Sequence, residues 1–326
     1  MKLLVTGGAG FIGSCFIRYI LNKYTDYKII NLDALTYAGN IENLDDIKSN
    51  PNYTFVHGNI CDKKLVQELT QNVDCVINFA AESHVDRSIT TPEIFIETNI
   101  KGTLNLLQAS KENNIQRYLQ ISTDEVYGTL GKTGYFYETS PIAPNSPYSA
   151  SKASADLLVR AYYETYKLPV LNTRCSNNYG PYQYPEKLIP FFVSKLLKDE
   201  KVPVYGDGLN VRDWLYVYDH CSAIDTVLHK GKIGEVYNIG GHNEKTNLEI
   251  TKLILAAMGK DESSIEYVQD RLGHDRRYAI SNDKIQSELG WKPSLTFEEG
   301  IKITIDWYLN NQNWIKSIEN KKAGIL

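Results

Sequence analysis

Two groups of ionisable side chains lie close together near the middle of the sequence. Thr123, Asp124 and Glu125 form the first group, and Tyr148 with Lys152 forms the second. A lysine ammonium beside a phenol favours the phenolate and lowers its pKa from about 10, so that it can take the proton of an alcohol that is being oxidised. Adjacent carboxyl groups can act as acid and base in the removal of water. If both groups share one pocket, the sequence predicts oxidation combined with dehydration, whereas a plain dehydrogenase needs only the tyrosine and lysine.

The spacing of Tyr148 and Lys152 identifies no site by itself. The same spacing recurs at Tyr19/Lys23, Tyr24/Lys28 and Tyr163/Lys167. Tyr148 and Lys152 share one face of a helix that the sequence predicts to begin near Ser146. Only this pair follows a predicted strand that ends in a polar cluster, at 122–125, and ligands of open α/β sheets bind beyond the carboxyl ends of the strands. We therefore predict that Tyr148 and Lys152 are the catalytic pair.

A glycine-rich turn near the N-terminus predicts a dinucleotide site. Gly7, Gly10 and Gly13 follow the first predicted strand and open the first predicted helix. Glycine at these positions permits a tight turn and close approach of a pyrophosphate, and the helix N-terminus faces the phosphate charge. Asp33 ends the second predicted strand, about 20 residues further on. Its carboxylate can accept hydrogen bonds from the adenosine ribose and would repel a 2′-phosphate, so NAD is favoured over NADP.

The elements that must position these residues alternate through the first half of the chain. The predicted strands are 2–6, 28–33, 53–57, 75–80, 117–122 and 169–174, and the predicted helices between them include 11–23, 98–113 and 148–166. Such alternation predicts right-handed βαβ units and an α/β fold with a doubly wound, parallel sheet of Rossmann type.

The pattern changes after about residue 175. Segment 177–185 is loop-like, 205–208 is a turn, 235–240 is one more strand, and 248–258 and 297–310 are amphipathic helices. We therefore predict an NAD-binding Rossmann domain at 1–175, to which 213–245 contribute late elements. A smaller, interleaved α/β substrate domain is expected from 176–212 and 246–326.

Composition argues against several classes of partner. The chain has 326 residues, 42% of them hydrophobic, with a formal net charge of -4 and a pI near 5.9, so we expect no nucleic-acid partner. The five cysteines contain no CxxC and the six histidines show no metal-ligand spacing, which favours reduced thiols and no metal site. No apolar run is long enough for a membrane span or a signal peptide, so we expect a cytoplasmic protein without a membrane partner.

Further segments recur in the same order in one family of enzymes. They are 79–88, 122–128, Tyr148 with Lys152, 175–183, 187–190, 205–214 and 270–278. Along nearly its whole length the chain thus resembles the nucleotide-sugar 4,6-dehydratases of the extended short-chain dehydrogenase/reductase superfamily. The resemblance implies NAD as cofactor, glucose linked to dTDP as substrate, and a homodimer formed through two long helices of each subunit.

The resemblance also implies a reaction in three steps. Tyr148, near Lys152, would take the proton of the sugar C4 hydroxyl while hydride passes from C4 to NAD. Glu125 would then take the C5 proton while protonated Asp124 donates to the departing C6 hydroxyl, with Thr123 hydrogen-bonded near C4. Hydride would return to C6, which leaves a 4-keto-6-deoxy sugar and no net redox change. Asp124 needs a raised pKa for this role, and a neighbouring carboxylate in a closed pocket can raise it.

Binding residues follow from the same resemblance. Those expected to contact NAD are Gly7, Gly10, Phe11, Ile12, Gly13, Asp33, Asn59, Ile60, Ala80, Ala81, Thr98, Tyr148, Lys152 and Asn178. Those expected to contact the sugar nucleotide are Ser83, Thr123, Asn177, Lys187, Leu188, Val204, Tyr205, Arg212, Asn247, Arg271 and His274. Asn59 stands where the family often has aspartate, and its amide oxygen can still accept from the adenine amino group. Leu272 stands where proline is frequent, which removes a φ constraint near the nucleotide base.

Alternative interpretations remain at this stage. A UDP-sugar 4-epimerase shares the fold, NAD and the tyrosine–lysine pair but needs no acid/base pair at C5 and C6, so Asp124 and Glu125 argue against it. A dehydratase of UDP- or GDP-linked hexose stays open, because base selectivity depends on pocket shape. An NAD-sensing regulator would be expected to lack catalytic groups, all of which are present. Taken singly, Arg212 could be a surface partner of Asp213, Asn247 a helix cap and Lys187 a solvated charge.

Overall fold

The structure, a computed structural model, describes residues 1–270 and 275–322. The strands are β1 Lys2–Thr6, β2 Lys28–Asp33, β3 Tyr53–His57, β4 Cys75–Asn78, β5 Arg117–Thr123, β6 Val170–Cys175, β7 Asn177–Tyr179, β8 Val202–Tyr205, β9 Val211–Tyr216, β10 Val236–Ile239, β11 Glu244–Thr246 and β12 Ile265–Val268. The α-helices are α1 Phe11–Lys23, α2 Lys63–Thr70, α3 Val85–Thr90, α4 Glu93–Phe95, α5 Thr103–Glu112, α6 Pro147–Tyr166, α7 Leu188–Leu196, α8 Val217–Lys230, α9 Asn247–Ala257, α10 Asp283–Leu289, α11 Phe297–Asn310 and α12 Gln312–Lys322. Shorter 3₁₀ turns lie at Ile41–Leu44, Asp124–Tyr127 and Glu262–Ser264, and a π-helical segment lies at Ile96–Gly102.

A parallel sheet of seven strands forms the centre of the described part of the chain, in the order β10-β6-β5-β4-β1-β2-β3. Its two faces are covered by different helices. Leu3 and Val5 of β1 pack in the buried cluster that includes α1 and α8, whereas Leu4 packs in the cluster that includes α5 and α6. Because both faces are covered, strands such as β1 and β4 are nearly continuous apolar runs. The predicted Rossmann-type sheet is confirmed.

Strand ends set the floor of the cleft. The structure ends β4 at Asn78 rather than at residue 80, and residues 79–83 instead line the carboxyl edge of the sheet. Asn78 fixes this exit, because its Oδ1 accepts from Thr6 Oγ1 at 2.6 Å and its Nδ2 donates to Gln120 Oε1 at 3.0 Å. By contrast, β5 continues to Thr123, which pairs with Cys175 of β6.

The helix predicted at 98–113 is only partly regular. Residues Ile96–Gly102 form a π-helical segment, and regular α-helix begins at Thr103. The wider turn directs buried Asn99 to Glu82, whose backbone N donates to Asn99 Oδ1 at 2.8 Å. Asn99 Nδ2 also donates to Ser151 Oγ at 2.8 Å. Local hydrogen bonding of a polar side chain therefore overrides the regular helical period here.

A second buried cluster supports the sugar-nucleotide end of the cleft. Within the described residues, β7, β9 and β11 form one small sheet, and β8 pairs with β12 in another. The prediction that 177–185 is entirely loop is therefore wrong at its start, because Asn177–Tyr179 pairs with β9. Helices α7, α9 and α11 pack together around apolar side chains such as Phe192 and Phe297. The two predicted amphipathic helices are confirmed as α9 and α11.

Candidate active site

The glycine-rich turn joins β1 to α1 and presses against the exit of β4. Gly7 has a φ of 73°, and a Cβ at this position would lie 2.6 Å from Ala80 N. A Cβ on Gly13 would clash with the carbonyl oxygen of Gly7. Gly10, in contrast, lines the cleft, and a Cβ at this position would have only the Gly7 oxygen nearby, at 3.2 Å. The turn thus leaves open backbone at the N-terminus of α1, which fits a pyrophosphate.

Asp33 ends β2 beside this turn and is almost completely buried. Its two carboxyl oxygens accept from Ala9 N and Leu35 N, both at 2.8 Å. Each oxygen keeps a further lone pair for a ribose hydroxyl. Burial raises the pKa of Asp33, which the two backbone donors and the more distant His57 partly offset. A carboxyl that accepts from hydroxyls in this position fits the unphosphorylated ribose of NAD.

Two adjoining cavities, of about 320 and 420 Å³, form one cleft along the carboxyl edge of the sheet. Their shared wall includes Ser83, Glu125, Asn177, Asn178 and Lys187. Every residue predicted to contact NAD lines the first cavity, as do Thr123, Asp124 and Glu125. Of the residues predicted to contact the sugar nucleotide, Leu188, Val204, Tyr205, Arg212 and Asn247 line the second cavity. Arg271 and His274 lie outside the described residues. The cleft has the size of a pocket for a ligand of several rings.

Tyr148 and Lys152 lie in the first turns of α6, where Ser146 caps the helix with Pro147 at its first position. The Lys152 ammonium donates to the carbonyl oxygen of Ile121 at 2.7 Å, and burial lowers its pKa. Burial and then the nearby Glu125 carboxylate raise the pKa of Tyr148 well above its usual value, while a hydrogen bond with Thr123 opposes this shift. The expectation that Lys152 holds the phenol in its ionised form is therefore wrong for the chain alone. The Lys152 ammonium instead contacts a backbone carbonyl, and burial is the largest contribution to the raised pKa of Tyr148.

The acid pair is presented by the end of β5 and the 3₁₀ turn that follows it. Thr123 Oγ1 accepts from Glu125 N and donates to Asp124 Oδ1, both at 3.3 Å. Ser149 Oγ, in the first turn of α6, donates to Glu125 Oε2 at 3.4 Å. These contacts bring the two predicted acid/base groups together at one point of the cleft.

Asp124 differs from Glu125 in its surroundings. It is 2% exposed, and its Oδ2 is buried with no hydrogen-bond partner among the described residues. Burial raises the pKa of Asp124 well above its usual value, and the carboxylates of Glu125 and Asp213 raise it further. Glu125 is only partly buried. The pair thus combines a carboxyl whose surroundings favour its protonated form with a more accessible one, as an acid and a base require.

Asn178 lies where β7 crosses the junction of the two cavities. Its amide is held from both sides, since Nδ2 donates to Ser176 O at 3.0 Å and Oδ1 lies 2.8 Å from His220 Nδ1. Burial lowers the pKa of His220 to about 3, so the imidazole is neutral and can donate to Oδ1. The Asn178 amide is therefore fixed in orientation at the junction of the two cavities.

At the far end of the cleft, Arg212 is buried rather than at the surface. Its Nη2 donates to Asp275 O at 2.9 Å, and its guanidinium lies 4.5 Å from the centre of the Tyr278 ring. Asp213 instead accepts from Gly241 N at 2.8 Å and Asn243 N at 2.7 Å, so the interpretation of Arg212 as its surface partner is wrong.

The structure also bears on the interpretations of Asn247 as a helix cap and of Lys187 as a solvated charge. Thr246, not Asn247, caps α9, and Asn247 lines the second cavity. Lys187 is half-buried, with its ammonium 3.5 Å from the carbonyl oxygen of Ser83. Both side chains are therefore available at the cleft wall.

Several lining residues were not predicted from the sequence. They include Tyr37, Cys175, Gln183, Tyr184, Glu186, Phe191, Trp214 and Tyr278. Gln183 and Tyr278 lie within segments that carried the resemblance, which was the available signal. The sequence around Glu186 contains no such signal. In the structure its Oε1 is buried without a hydrogen-bond partner among the described residues. Only the fold reveals that it faces the cleft.

The described part of the chain contains no group of three or more His, Cys, Asp or Glu side chains arranged to hold a metal ion. Nor is any described helix both long and apolar enough to cross a membrane. The residues that could hold a cofactor are those of the glycine turn, Asp33 and the tyrosine–lysine pair, and their arrangement fits NAD.

The chain is similar to known proteins over nearly its whole length. The profile of the GDP-mannose 4,6 dehydratase family matches residues 4–304. A dTDP-glucose 4,6-dehydratase of Xanthomonas campestris pv. campestris (strain B100) is 55% identical, over 97% of this chain and 95% of that protein. A dTDP-glucose 4,6-dehydratase of Bacillus anthracis, crystallised in complex with NAD, is 56% identical with a TM-score of 0.92, covering 98% of this chain and 99% of that one. One of Streptomyces venezuelae, crystallised with NAD and TYD bound, is 50% identical with a TM-score of 0.95, covering 98% and 100%.

Proposed function

Because this chain belongs to the family of nucleotide-sugar 4,6-dehydratases, we propose that it converts dTDP-glucose to dTDP-4-keto-6-deoxyglucose and water, with NAD as cofactor. The observation that carries the proposal is the pairing of two acid/base systems in one cleft. Buried Asp124 and accessible Glu125 line the same cavity as Tyr148 and Lys152. An alcohol dehydrogenase needs only the second pair, whereas elimination of water needs both.

The glycine turn and Asp33 would hold NAD, which would supply a hydride acceptor for C4, a hydride donor for C6 and, in its oxidised form, a positive charge. Tyr148 takes the proton of the C4 hydroxyl. In the chain alone burial and Glu125 raise its pKa, and a positive charge beside the phenol would lower it. Lys152, tied to Ile121 O at 2.7 Å, fixes the second turn of α6 at the end of β5. In the chain alone Thr123 hydrogen-bonds the phenol of Tyr148. We infer that Thr123 hydrogen-bonds the sugar instead when the substrate is bound.

Elimination then uses the acid pair. Oxidation of C4 makes the C5 proton acidic, and Glu125 takes it. Asp124, kept protonated by burial and by the charges of Glu125 and Asp213, donates its proton to the C6 hydroxyl, which leaves as water. Glu125 later returns a proton to C5. The different surroundings of the two carboxyls support Asp124 as the acid and Glu125 as the base.

We infer the binding roles from the walls of the cleft. The glycine turn and Asp33 hold the pyrophosphate and ribose of NAD, and Asn59 and Ile60 flank its adenine. Buried Arg212 has a planar guanidinium that suits the pyrophosphate of the sugar nucleotide. We infer that Val204, Tyr205 and Asn247 border the nucleoside, with residues 176–212 and 246–326 forming the substrate-binding unit beside the NAD-binding unit.

A second copy of this chain is the partner that we propose. Helices α5 and α6 pack side by side and leave Leu104 and Leu157 exposed at 40% and 54%. Neighbouring Ile94 and Ile96 are also exposed, so these helices present an apolar face of the kind that homodimers bury. Five free thiols and a net charge of -4 support a cytoplasmic enzyme that binds neither nucleic acid nor membrane.

The substrate assignment is tested by direct assay. The purified chain, with NAD, is incubated separately with dTDP-glucose, UDP-glucose and GDP-mannose, and the alkali-induced absorbance of a 4-keto-6-deoxy product is followed. We expect product from dTDP-glucose with the highest kcat/KM. Turnover of UDP-glucose or GDP-mannose in preference would contradict the dTDP assignment, and epimerised sugar without keto product would support the epimerase alternative.

A further inference from the structure

A buried cluster of polar side chains lies beneath the cleft without lining it. Arg174 Nε donates to Asp156 Oδ2 at 2.9 Å, and Arg174 Nη1 donates to Tyr127 Oη at 2.8 Å. The Tyr127 hydroxyl in turn donates to Asn238 Oδ1 at 2.8 Å. The side chains of Arg174 and Asp156 are 5% and 1% exposed. Four polar groups are therefore joined in a row and shielded from water.

The four residues come from the elements that deliver the acid/base groups. Tyr127 closes the 3₁₀ turn Asp124–Tyr127, which carries both carboxyls. Asp156 lies on α6, one helical turn beyond Lys152. Arg174 lies on β6 directly opposite Ser122, the residue before Thr123. One guanidinium thus contacts both the turn that holds the acid pair and the helix that holds the tyrosine–lysine pair.

The chemistry of this cluster favours a geometric role over a purely stabilising one. A buried ion pair contributes little net stability compared with apolar side chains of the same size, because both charges must be removed from water. The planar guanidinium fixes the directions of its hydrogen bonds, so its two partners are held at a set distance and angle. Tyr127 is held further by stacking on Phe136, with ring centres 5.0 Å apart. The cluster is therefore rigid in the direction that joins the turn to the helix.

We propose that Tyr127, Arg174, Asp156 and Asn238 are positioning residues that keep Asp124 and Glu125 in register with Tyr148 and Lys152. The inference rests on the proposed function, because only a reaction that uses both pairs on one sugar requires their register. Tyr148 must reach the hydroxyl at C4 while Glu125 and Asp124 reach C5 and C6 of the same ring. Misplacement of a reacting group by about 1 Å can cost about 100-fold in rate.

The test compares two variants that each lose one buried phenol hydroxyl. Y127F keeps the ring and the Arg174–Asp156 ion pair but removes the hydroxyl that joins Arg174 to Asn238. Y118F is the matched control, because Tyr118 is fully buried on β5, donates to Gln120 Oε1 at 2.7 Å and lies away from the cleft. For each variant and the wild type, kcat, KM and the fraction of bound cofactor that is reduced at steady state are measured, together with the melting temperature.

We expect Y127F to lower kcat by about tenfold or more with KM changed less than about twofold. The reduced cofactor should accumulate, because elimination slows more than C4 oxidation when the turn carrying the acid pair shifts. Y118F should lower the melting temperature by a similar amount with kcat and cofactor reduction unchanged. If Y127F matched Y118F in all three kinetic readouts, the positioning role would be overturned.

A second variant keeps the inference testable should Y127F fail to fold. R174K retains the charge beside Asp156, but a single ammonium cannot reproduce the fork that reaches both Asp156 and Tyr127. It should show the same accumulation of reduced cofactor, and activity lost only in proportion to unfolded protein would overturn the role. Wild-type protein inert toward dTDP-glucose would instead count against the proposed function, so the two failures are distinct.

Discussion

Replacing Asp124 with asparagine separates the proton that this side chain donates from the space it fills. D124N keeps the shape of the residue and the oxygen that accepts from Thr123 at 3.3 Å, but it has no proton to give to the departing C6 hydroxyl. Removal of a general acid lowers a rate by about 10²–10⁴-fold. We expect kcat for dehydration to fall within that range while oxidation at C4, which uses Tyr148, continues and leaves reduced cofactor bound.

The same substitution should stabilise the folded chain. Burial raises the pKa of Asp124, and the charges of Glu125 and Asp213 raise it further, so the folded state binds a proton that the unfolded state releases. The free energy of unfolding therefore falls as pH rises from the unfolded value near 4 toward the folded pKa. Each unit by which the pKa is raised costs about 1.4 kcal/mol once pH exceeds the folded pKa. Asparagine has no such charge to bury, and each kcal/mol regained raises the melting temperature of a chain this long by about 1–2 °C.

The assay is equilibrium or thermal unfolding of wild type and D124N between about pH 5 and pH 8, with kcat measured on the same preparations. The stability advantage of D124N should grow with pH. D26N is the control, because Asp26 is exposed on a surface turn, and it should change neither activity nor the slope with pH. Native dehydration by D124N, or a folded D124N that is less stable than wild type at the upper pH, would refute the reasoning.

Three further outcomes follow from other parts of the structure. The pKa of His229 is raised, chiefly by its hydrogen bond with Asp225, so the stabilisation from its charge is complete below about pH 6.5 and is lost as pH rises through the folded pKa. Over that rise H229Q should lose less stability than wild type. Equal slopes of unfolding free energy against pH in the two proteins would exclude the effect. D33N removes the carboxylate that repels a 2′-phosphate, so the NADP affinity relative to NAD, measured by titration calorimetry, should rise at least about tenfold; an unchanged ratio would show that Asp33 does not select the cofactor. L157E should convert a dimer to a monomer in light scattering, whereas I303E, which changes another exposed aliphatic residue on α11, should not. A monomeric wild type, or a dimeric L157E, would remove α6 from the interface.

The Rossmann half of the fold could be predicted closely because its signals are local. Strands β1 and β2 are buried on both faces, β1 is followed by Gly7 and β2 ends at Asp33, so apolar runs and turn residues mark their limits. The small sheet of β7, β9 and β11 could not be predicted in the same way. Its strands β7 and β11 have three residues each and are mostly polar, and β7 pairs with β9, which comes more than 30 residues later in the chain. Because the partner strand of β7 is distant in the sequence, residues 177–179 carry no pattern of their own that is typical of a strand.

The candidate site, too, could be predicted only in part. The sequence contains the chemical groups, and Asp124, Glu125, Tyr148 and Lys152 do converge. It does not contain their surroundings. The direction of the Tyr148 pKa was predicted wrongly because burial and then the Glu125 carboxylate raise it, and spacing on a helix reveals neither. The inward position of Glu186 likewise depends on how the loop before α7 packs across the cleft.

We propose that two acid/base systems act in turn on one sugar without net oxidation. Incubation of the chain with dTDP-glucose labelled with deuterium at C4, followed by NMR of the product, tests it most directly. The account predicts a 4-keto-6-deoxy product that carries the label at C6 and, in heavy water, one solvent deuterium at C5. Label retained at C4 of an epimerised sugar, or lost to free reduced cofactor, would contradict it.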